Sequence, residues 1–455
     1  MKQHSLLTAP IRRLYLGFLV PTLIATVSNS LYCLADVYFI SIGSGTMGLA
    51  ALNIVMPMYT FYSAIGLLFG VGASTIIAVD RGSGNEHGAD VAFTISIAMM
   101  VLFGLAGTLL SLFLLEPLAY LLGSSAELLP YVMEYLRPIV IGTLAFILMY
   151  ACGILLRADN APRLAMVSML IGNISNIVLD YVFVIVFGWG LGGAAFATAL
   201  APLITLIIAS LHFVGHKERL HFSRITNIRV ILRRIVVNGA GSGILELTSG
   251  LVILVFNAVI LAASDATFLA AYAIVANIAY VLKGVFAAFG QAAQPIMSYN
   301  YGAHAPGRTR ATFRFSMFLT LAVSLLIYLL FCFFHVPLAS LFASGEAEVL
   351  ALGAFGIVLY FTSLPFSAFN TILMYYFQSV ESGRLATVLA IAKGVVFILI
   401  GLLLLYALLG ETGIWLTVTF AEAAACLSGI GLYARRCWGA ERGSGTGLSR
   451  LCAII

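Results

Sequence analysis

Two acidic residues lie inside apolar segments of the chain, and each follows polar residues at helical spacing. Tyr32 precedes Asp36 by four residues on one predicted helix. On another, Asn173 and Asn176 precede Asp180 by seven and four residues, so each set forms one stripe. Carboxylates with amide and phenol neighbours and no nearby base suit a proton or a hard cation, which prefers oxygen ligands. We therefore predict a cation or proton site; the alternative is that each aspartate only holds helices together.

A second group of ionisable residues falls in apolar segments of the other half of the chain. Glu246 and Lys283 have opposite charges at similar predicted depth, near mid-membrane. Two interpretations are open. The two residues form a buried ion pair, or Glu246 contacts a substrate or a proton. Lys393 is placed near a helix end, where its ammonium group would extend to the membrane surface. Glu422 is assigned no role.

The composition shows which solvent these segments require. The 455 residues are 62% hydrophobic and 9% charged, with a mean hydropathy of +1.08. A soluble domain carries about 25% charged residues, so this chain must be surrounded largely by lipid. The net charge of +5 does not indicate a nucleic-acid partner, because the basic residues are spread over short loops. No catalytic motif is present, so an enzyme is not expected.

Twelve apolar segments are long enough to cross a bilayer, which requires about 20 residues each. We therefore predict an all-α polytopic membrane protein. Pro21 lies inside the first segment and removes one backbone hydrogen bond, so we predict a hinge there. The twelve predicted helices span residues 14–40, 48–79, 89–115, 130–156, 163–188, 193–213, 235–262, 267–299, 312–335, 348–378, 386–409 and 414–434.

The two halves of the sequence resemble each other. When the second half is laid on the first, Gly82 meets Gly302 and Thr198 meets Thr419, and the register barely changes along the chain. Each half holds six helices, so both have the same orientation and form two bundles related by a pseudo-twofold axis along the membrane normal. The predicted division is residues 1–215 for the first lobe, 216–234 for a linker, 235–436 for the second lobe and 437–455 for a tail.

The basic residues predict the orientation. The linker from Lys217 to Arg234 is rich in arginine, and Arg81 and Arg157 lie in loops on the same side, whereas the opposite loops contain no Lys or Arg. Under the positive-inside rule both termini and the linker are cytoplasmic. We expect a multi-pass protein of the cell membrane.

Several segments in order resemble the multidrug and toxic compound extrusion (MATE) transporters, over nearly the whole chain. They are residues 34–40 (LADVYFI), which follow Pro21, then 156–163 (LRADNAPR), 176–180 (NIVLD), 192–198 (GGAAFAT) and 294–303 (QPIMSYNYGA). The resemblance implies two six-helix bundles that export amphipathic, often cationic, small organic molecules by alternating access. Export would be driven by entry of Na⁺ or H⁺. Apart from this ion we expect no cofactor, and we expect a monomer in membrane lipid.

The same resemblance implies roles for particular residues. In several members a cation site in the first lobe uses residues that match Asp36, Asn176, Asp180 and Thr198, which would hold Na⁺ or a proton here. Glu246 matches an acid on the seventh helix of some branches. The tenth helix lacks the acid that other members place there, so the resemblance gives less support to a cation site in the second lobe.

Two other functions are weighed against export. Related transporters flip lipid-linked saccharides with similar bundles, but the phosphates of such substrates favour a cationic cleft, whereas the first lobe here carries carboxylates. A membrane-embedded enzyme or receptor would not need a two-lobe repeat.

Overall fold

The computed structural model describes residues 5–213, 219–342 and 346–443. Helices make up nearly all of these residues, and no β-strand occurs among them. The helices are α1 Ser5–Thr8, α2 Ile11–Gly82, α3 Glu86–Phe113, α4 Leu115–Leu121, α5 Leu129–Ile141, α6 Thr143–Ala158, α7 Pro162–Asp180, α8 Gly190–Ser210, α9 Ile228–Ala263, α10 Ala266–Gly302, α11 Pro306–Ser340, α12 Ala347–Tyr360, α13 Leu364–Ser379, α14 Gly383–Ile391, α15 Phe397–Leu409 and α16 Glu411–Gly443.

Twelve membrane spans follow from these helices. Ten helical segments in the described part of the chain are long and apolar enough to cross a bilayer. The longest, α2, has 72 residues but is broken at Gly45 (φ 58°, ψ −148°), which divides it into two spans. Helices α5 and α6 meet at an angle of 56° and together form one further span. The predicted all-α fold with twelve spans is confirmed, with α2 to α8 forming the first lobe and α9 to α16 the second.

The internal repeat is visible in the backbone as well as in the sequence. Residues with positive φ, which are uncommon, recur in the register of the sequence repeat. These pairs are Gly84 (81°) with His304 (52°), Asn160 (60°) with Glu381 (53°), and Gly190 (54°) with Gly410 (59°). The bend between α5 and α6 also has a repeat-related counterpart, the 3₁₀ segment Phe361–Ser363 before α13.

On the side that carries the loop arginines, which we call the basic side, the start of one helix from each lobe packs into the core of the other lobe. Tyr15, near the start of α2, packs in a second-lobe core and donates a hydrogen bond to the carbonyl oxygen of Phe289 (3.0 Å). Conversely, Ile235 near the start of α9 is buried in the first-lobe core. A side chain added at Gly82 would collide with the backbone of α10, and one at Gly302 with the backbone of α2. Small residues therefore permit close helix packing at both repeat-related positions.

Polar side chains reinforce this contact. Hydrogen bonds between the lobes lie from mid-span to the basic side. They include those from Arg157 to Gln291 (2.6 Å), from Gln294 to Thr75 (2.9 Å) and from Arg234 to Asp80 (2.9 Å).

The linker is held against the first lobe by Asp159, which lies in the loop after α6. Its carboxylate pairs with the buried Arg81 and with His212 (2.7 Å), and accepts a hydrogen bond from the backbone N–H of Leu220 (3.3 Å). The LRADNAPR segment thus contains a buried acid that connects three parts of the basic side.

Some predicted boundaries differ from the structure. Helix α9 begins at Ile228, inside the predicted linker, and α16 runs to Gly443, past residue 436. Helical periodicity therefore extends several residues beyond the apolar runs on the basic side. Lys217 and residues 444–455 of the predicted tail lie outside the described residues. Pro21 lies in a stretch of α2 with helical dihedral angles, so its function as a hinge stays a prediction.

Candidate cation site and second-lobe cavity

Asp36 is the first element of a polar connection between three helices of the first lobe. Its side chain on α2 is buried, and its Oδ1 accepts a hydrogen bond from the hydroxyl of Thr198 on α8 (3.1 Å). The amide of Asn176 on α7 donates in turn to the Thr198 hydroxyl (3.4 Å). Three residues that are far apart in sequence therefore lie in one network.

Asp180 lies one helical turn beyond Asn176 and is completely buried, with 0% of its surface exposed. Among the residues that the structure describes, both carboxylate oxygens of Asp180 and the amide oxygen of Asn176 have no hydrogen-bond partner. Buried polar atoms are nearly always paired, and an unpaired buried charge is strongly disfavoured. These three oxygen atoms require a proton, a cation or water.

The backbone changes directly after this site. The six residues Tyr181–Val186 form a π-helical segment, and π-helical turns within α-helices are frequent at functional sites. The second lobe has a π-helical segment, Ala392–Val396, in its fifth span. Both fifth spans therefore depart from α-helical geometry.

Three tyrosines lie around Asp36, and two of them were not predicted from the sequence. Tyr32, Tyr59 and Tyr135 lie near the Asp36 carboxylate. The hydroxyls of Tyr59 and Tyr135 lie 3.2 Å apart in a hydrogen bond between α2 and α5. Of these only Tyr32 was predicted, because it shares a helical stripe with Asp36, whereas the other two approach from other spans.

Asn173 has a different partner from the other predicted residues. Its amide donates to the hydroxyl of Ser28 (3.0 Å), which joins α7 to α2 one turn away from Asn176. The structure thus brings Asp36, Asn176, Asp180 and Thr198 together and places Asn173 beside them.

No fixed positive charge balances the two aspartates. Of the eight salt bridges found in the described residues, none involves Asp36 or Asp180. Carboxylate, amide and hydroxyl oxygens on three helices form a donor set of the kind that hard cations use. The arrangement also fits a proton shared by or transferred between the aspartates.

In the second lobe, Glu246 and Lys283 form an ion pair. The Lys283 ammonium lies 2.9 Å from Glu246 Oε2 and donates to the hydroxyl of Ser249 (2.7 Å). Glu246 Oε1 accepts a hydrogen bond from Ser63 of the first lobe (3.2 Å). The pair thus contacts both lobes, and a direct function of Glu246 in transport stays a prediction.

A second ion pair joins Lys393 to Glu422 at 2.9 Å. The two side chains are only 9% and 11% exposed, and Asn370 donates a hydrogen bond to Glu422 Oε2 (2.6 Å). The prediction that Lys393 extends to the membrane surface is therefore wrong. Its ammonium turns inward because a buried carboxylate on α16 balances its charge.

Both pairs line one cavity of about 270 Å³ within the second lobe. Aromatic side chains form much of the wall, and they include Tyr272, Tyr280, Phe286, Tyr360, Phe361 and Tyr375. An apolar concavity with a few polar groups is typical of a site for small organic molecules.

The sequence is similar to a known family and to several known proteins. A family model described as MatE matches residues 21–182 and 241–406. The multidrug export protein MepA of Staphylococcus saprophyticus is 24% identical over 415 residues, which cover 91% of each chain. A protein of Shewanella oneidensis described as an FAD transporter is 30% identical over 384 residues, which cover 79% of this chain and 83% of the relative.

Solved structures agree with this result at the level of the fold. An outward-facing MATE family transporter of the MOP superfamily, described as a multidrug resistance protein, superposes with a TM-score of 0.89. It is 23% identical and the match covers 99% of both chains.

Proposed function

The chain belongs to the MatE family, and from that premise we propose that it is an ion-coupled antiporter that exports amphipathic small organic molecules. It is a multi-pass protein of the plasma membrane, and its relatives include multidrug exporters. The named substrates of those relatives differ, since one is described as an FAD transporter. Small molecules are the shared class, and the ion coupling is our proposal.

The observation that carries the proposal is the set of unpartnered buried oxygens at Asp180 and Asn176, next to Asp36. A site of this kind is stable when a proton or Na⁺ neutralises it. When the ion leaves, two carboxylates remain in a low-dielectric environment and repel each other. The empty and occupied sites therefore favour different arrangements of α2, α7 and α8.

Coupling requires only that the ion and the substrate favour different states of the lobes. Binding of one then weakens binding of the other, so downhill entry of the ion drives export of the substrate. The oxygens of Asp36, Asn176, Asp180 and Thr198 hold the ion in this scheme. Family membership implies that many of the exported molecules are cations.

Alternating access is proposed to arise from rocking of the two lobes. Because they share polar contacts at the basic side, opening there requires these contacts to break. Pro21 lies in α2 between the start of the helix and Asp36, and the hydroxyl of Thr22 bonds to the carbonyl oxygen of Phe18 (2.7 Å). Pro21 is the proposed bending point, since it leaves one carbonyl of the preceding turn without its helical partner. One chain contains both lobes, which supports a monomer as the working unit.

We propose that the basic side is cytoplasmic, with both termini on that side. In a background without native thiols, a cysteine at Ser44 should react with an impermeant thiol reagent added outside the cell. One at Ser223, in the linker, should react only after the membrane is permeabilised. The reverse pattern would show that the orientation is wrong.

The alternative of a flippase for lipid-linked saccharides has weak support. Diphosphate groups favour a strongly cationic cleft, whereas each lysine of the cavity is paired with a glutamate. Asp36 and Asp180 in the first lobe, which form no salt bridge among the described residues, would repel a diphosphate.

The experiment is transport by purified protein in proteoliposomes loaded with a fluorescent amphipathic dye. A pH gradient alone and a Na⁺ gradient alone are compared with no gradient, and the relevant gradient should accelerate dye movement. Protein-free liposomes provide the control for leakage. If neither gradient changes the flux of any dye that the protein carries, the chain is not an ion-coupled antiporter.

A further inference from the structure

A second concavity lies on the basic side, between the starts of α9 and α14. Its volume is about 540 Å³, and we call it the arginine cavity because four arginines line it. They are Arg229, Arg233 and Arg234 of α9 and Arg384 of α14. None of the residues in its wall lines the second-lobe cavity, and none is assigned to ion coupling.

The positive charge of the arginine cavity is only partly balanced. Arg234 lies 2.9 Å from Asp80 and 2.9 Å from Glu381, so its guanidinium is neutralised by two acids. The side chains of the other three arginines form no salt bridge within the described part of the chain. Four arginines against these two carboxylates leave a net charge of +2. The cavity therefore attracts an anion.

The arginine cavity lies where two spans enter the membrane. Arg233 and Arg384 each come two residues before an apolar segment, since these segments begin at residues 235 and 386. Both arginines occupy the first two turns of their helices. A helix N-terminus carries a partial positive charge, so basic side chains there are disfavoured unless an anion compensates. Their depth is that of the lipid headgroups.

Exposed apolar side chains continue the same helix faces toward the membrane interior. On α14, Val388 and Ile391 follow Arg384 by four and seven residues, which places all three on one face. Both side chains are exposed. On α9, the exposed Val236 follows Arg233 by three residues. A ligand with a negative head and apolar chains matches this succession of surfaces.

We propose that the arginine cavity binds the headgroup of an anionic phospholipid, whose phosphodiester accepts hydrogen bonds from Arg233 and Arg384. Its acyl chains lie along Val388 and Ile391. The planar guanidinium of arginine suits phosphate oxygens, to which it can donate two parallel hydrogen bonds. Basic pockets between spans at the membrane surface are typical sites for such headgroups. This binding is independent of the proposed export function.

The first test compares two lipids that share acyl chains and differ in headgroup charge, dioleoylphosphatidylglycerol and dioleoylphosphatidylcholine. Native mass spectrometry of the full-length protein in detergent measures the dissociation constant of the first bound lipid. We expect phosphatidylglycerol to bind at least about tenfold more tightly, because the zwitterionic headgroup cannot neutralise the arginines. Equal dissociation constants would overturn the proposal.

The second test separates the cavity from the general charge of the basic side. Arg233→Gln/Arg384→Gln should weaken binding of phosphatidylglycerol about thirtyfold, which is about fivefold for each arginine. Arg13→Gln/Arg163→Gln is the matched control. Arg13 and Arg163 are exposed, occupy the equivalent positions of the sequence repeat and do not line the cavity. Folding of both double variants is verified by size-exclusion chromatography.

The two double variants remove the same number of charges from the same side of the protein. The control should therefore bind phosphatidylglycerol with nearly the wild-type affinity. Equal losses in the two variants, or wild-type affinity in both, would refute the assignment to the arginine cavity.

A third test distinguishes a lipid from a soluble phosphate ester, which carries the same anionic group. Glycerol 3-phosphate is added to the complex with phosphatidylglycerol at the concentration of the lipid. We expect no displacement, because the soluble ester has no acyl chains to cover the exposed apolar face. Displacement of the lipid under these conditions would show that the cavity serves a soluble phosphate and would overturn the proposal.

Discussion

The two lobes share a backbone repeat but carry buried charge in different ways. In the first lobe, Asp36 and Asp180 have no basic partner, and both carboxylate oxygens of Asp180 lack a hydrogen bond among the described residues. In the second lobe, Glu246 and Glu422 are each paired with a lysine at 2.9 Å. The charges of Glu246 and Glu422 are thus balanced within the second lobe, whereas in our proposal a mobile ion balances those of Asp36 and Asp180.

The repeat shows how the lobes diverged in chemistry. In the register that superposes the two halves, Asp180 meets Gly401 and Ser63 meets Lys283. Gly190 and Gly410, which occupy equivalent turn positions, have similar φ angles of 54° and 59°. The same backbone repeat therefore carries different charged residues at equivalent positions of the two lobes.

The largest effect on stability is expected at the more deeply buried ion pair. Lys393→Met leaves Glu422 without its counter-charge at an 11% exposed position, and should lower the free energy of unfolding by about 3 kcal/mol. Lys393→Met/Glu422→Gln should recover most of this loss. Thermal unfolding of the purified proteins measures both values. A double variant no more stable than Lys393→Met would show that the pair is not energetically coupled.

An intermediate effect is expected at Thr198, whose hydroxyl connects Asp36 to Asn176. Thr198→Val removes this hydroxyl at nearly constant volume and should raise the half-saturating concentration of the driving ion about tenfold. Thr205→Val is a matched control, because Thr205 is also buried on α8, and its one hydrogen bond among the described residues goes to the Ala201 carbonyl within its own helix. Equal effects of the two substitutions would place the ion elsewhere.

The smallest of these effects is expected at the more exposed ion pair. Lys283 and Glu246 are 37% and 21% exposed, so water compensates for a lost partner and Lys283→Met should cost about 1 kcal/mol. Lys283→Met/Glu246→Gln should be at least as stable as Lys283→Met. If the double variant is less stable than either single variant, the pairing does not account for these residues. That result would favour the alternative that Glu246 contacts a substrate or a proton directly.

Periodicity and length were sufficient to predict the spans, the repeat and the stripes that carry Asp36 and Asp180. These features depend on local sequence, because a segment of about 20 apolar residues in lipid must pair its own backbone N–H and C=O groups, which it does by forming a helix. The pairing of Glu246 with Lys283 followed from charge and depth. Resemblance to the MATE transporters added Thr198, which periodicity alone did not single out.

Contacts between distant helices could not be predicted in the same way. Tyr59 and Tyr135 approach Asp36 from two other spans, and no local pattern connects them. The depth of Lys393 was counted from a helix end, which ignores the carboxylate of Glu422 on the next span. Such errors arise because a buried charge takes its position from its partner, and the partner lies on another helix.

We propose that the first lobe holds the coupling ion, and the variant Asp180→Asn is the sharpest test of this assignment. The substitution keeps the size of the side chain but removes its charge, so the protein should fold with near-normal yield. Ion-driven efflux from proteoliposomes should be lost, while binding of substrate measured separately is at least partly retained. Asp36→Asn should behave alike, and the double variant should be little worse than either single one. Transport by Asp180→Asn at the wild-type rate, with unchanged dependence on the ion, would contradict the assignment of coupling to the first lobe.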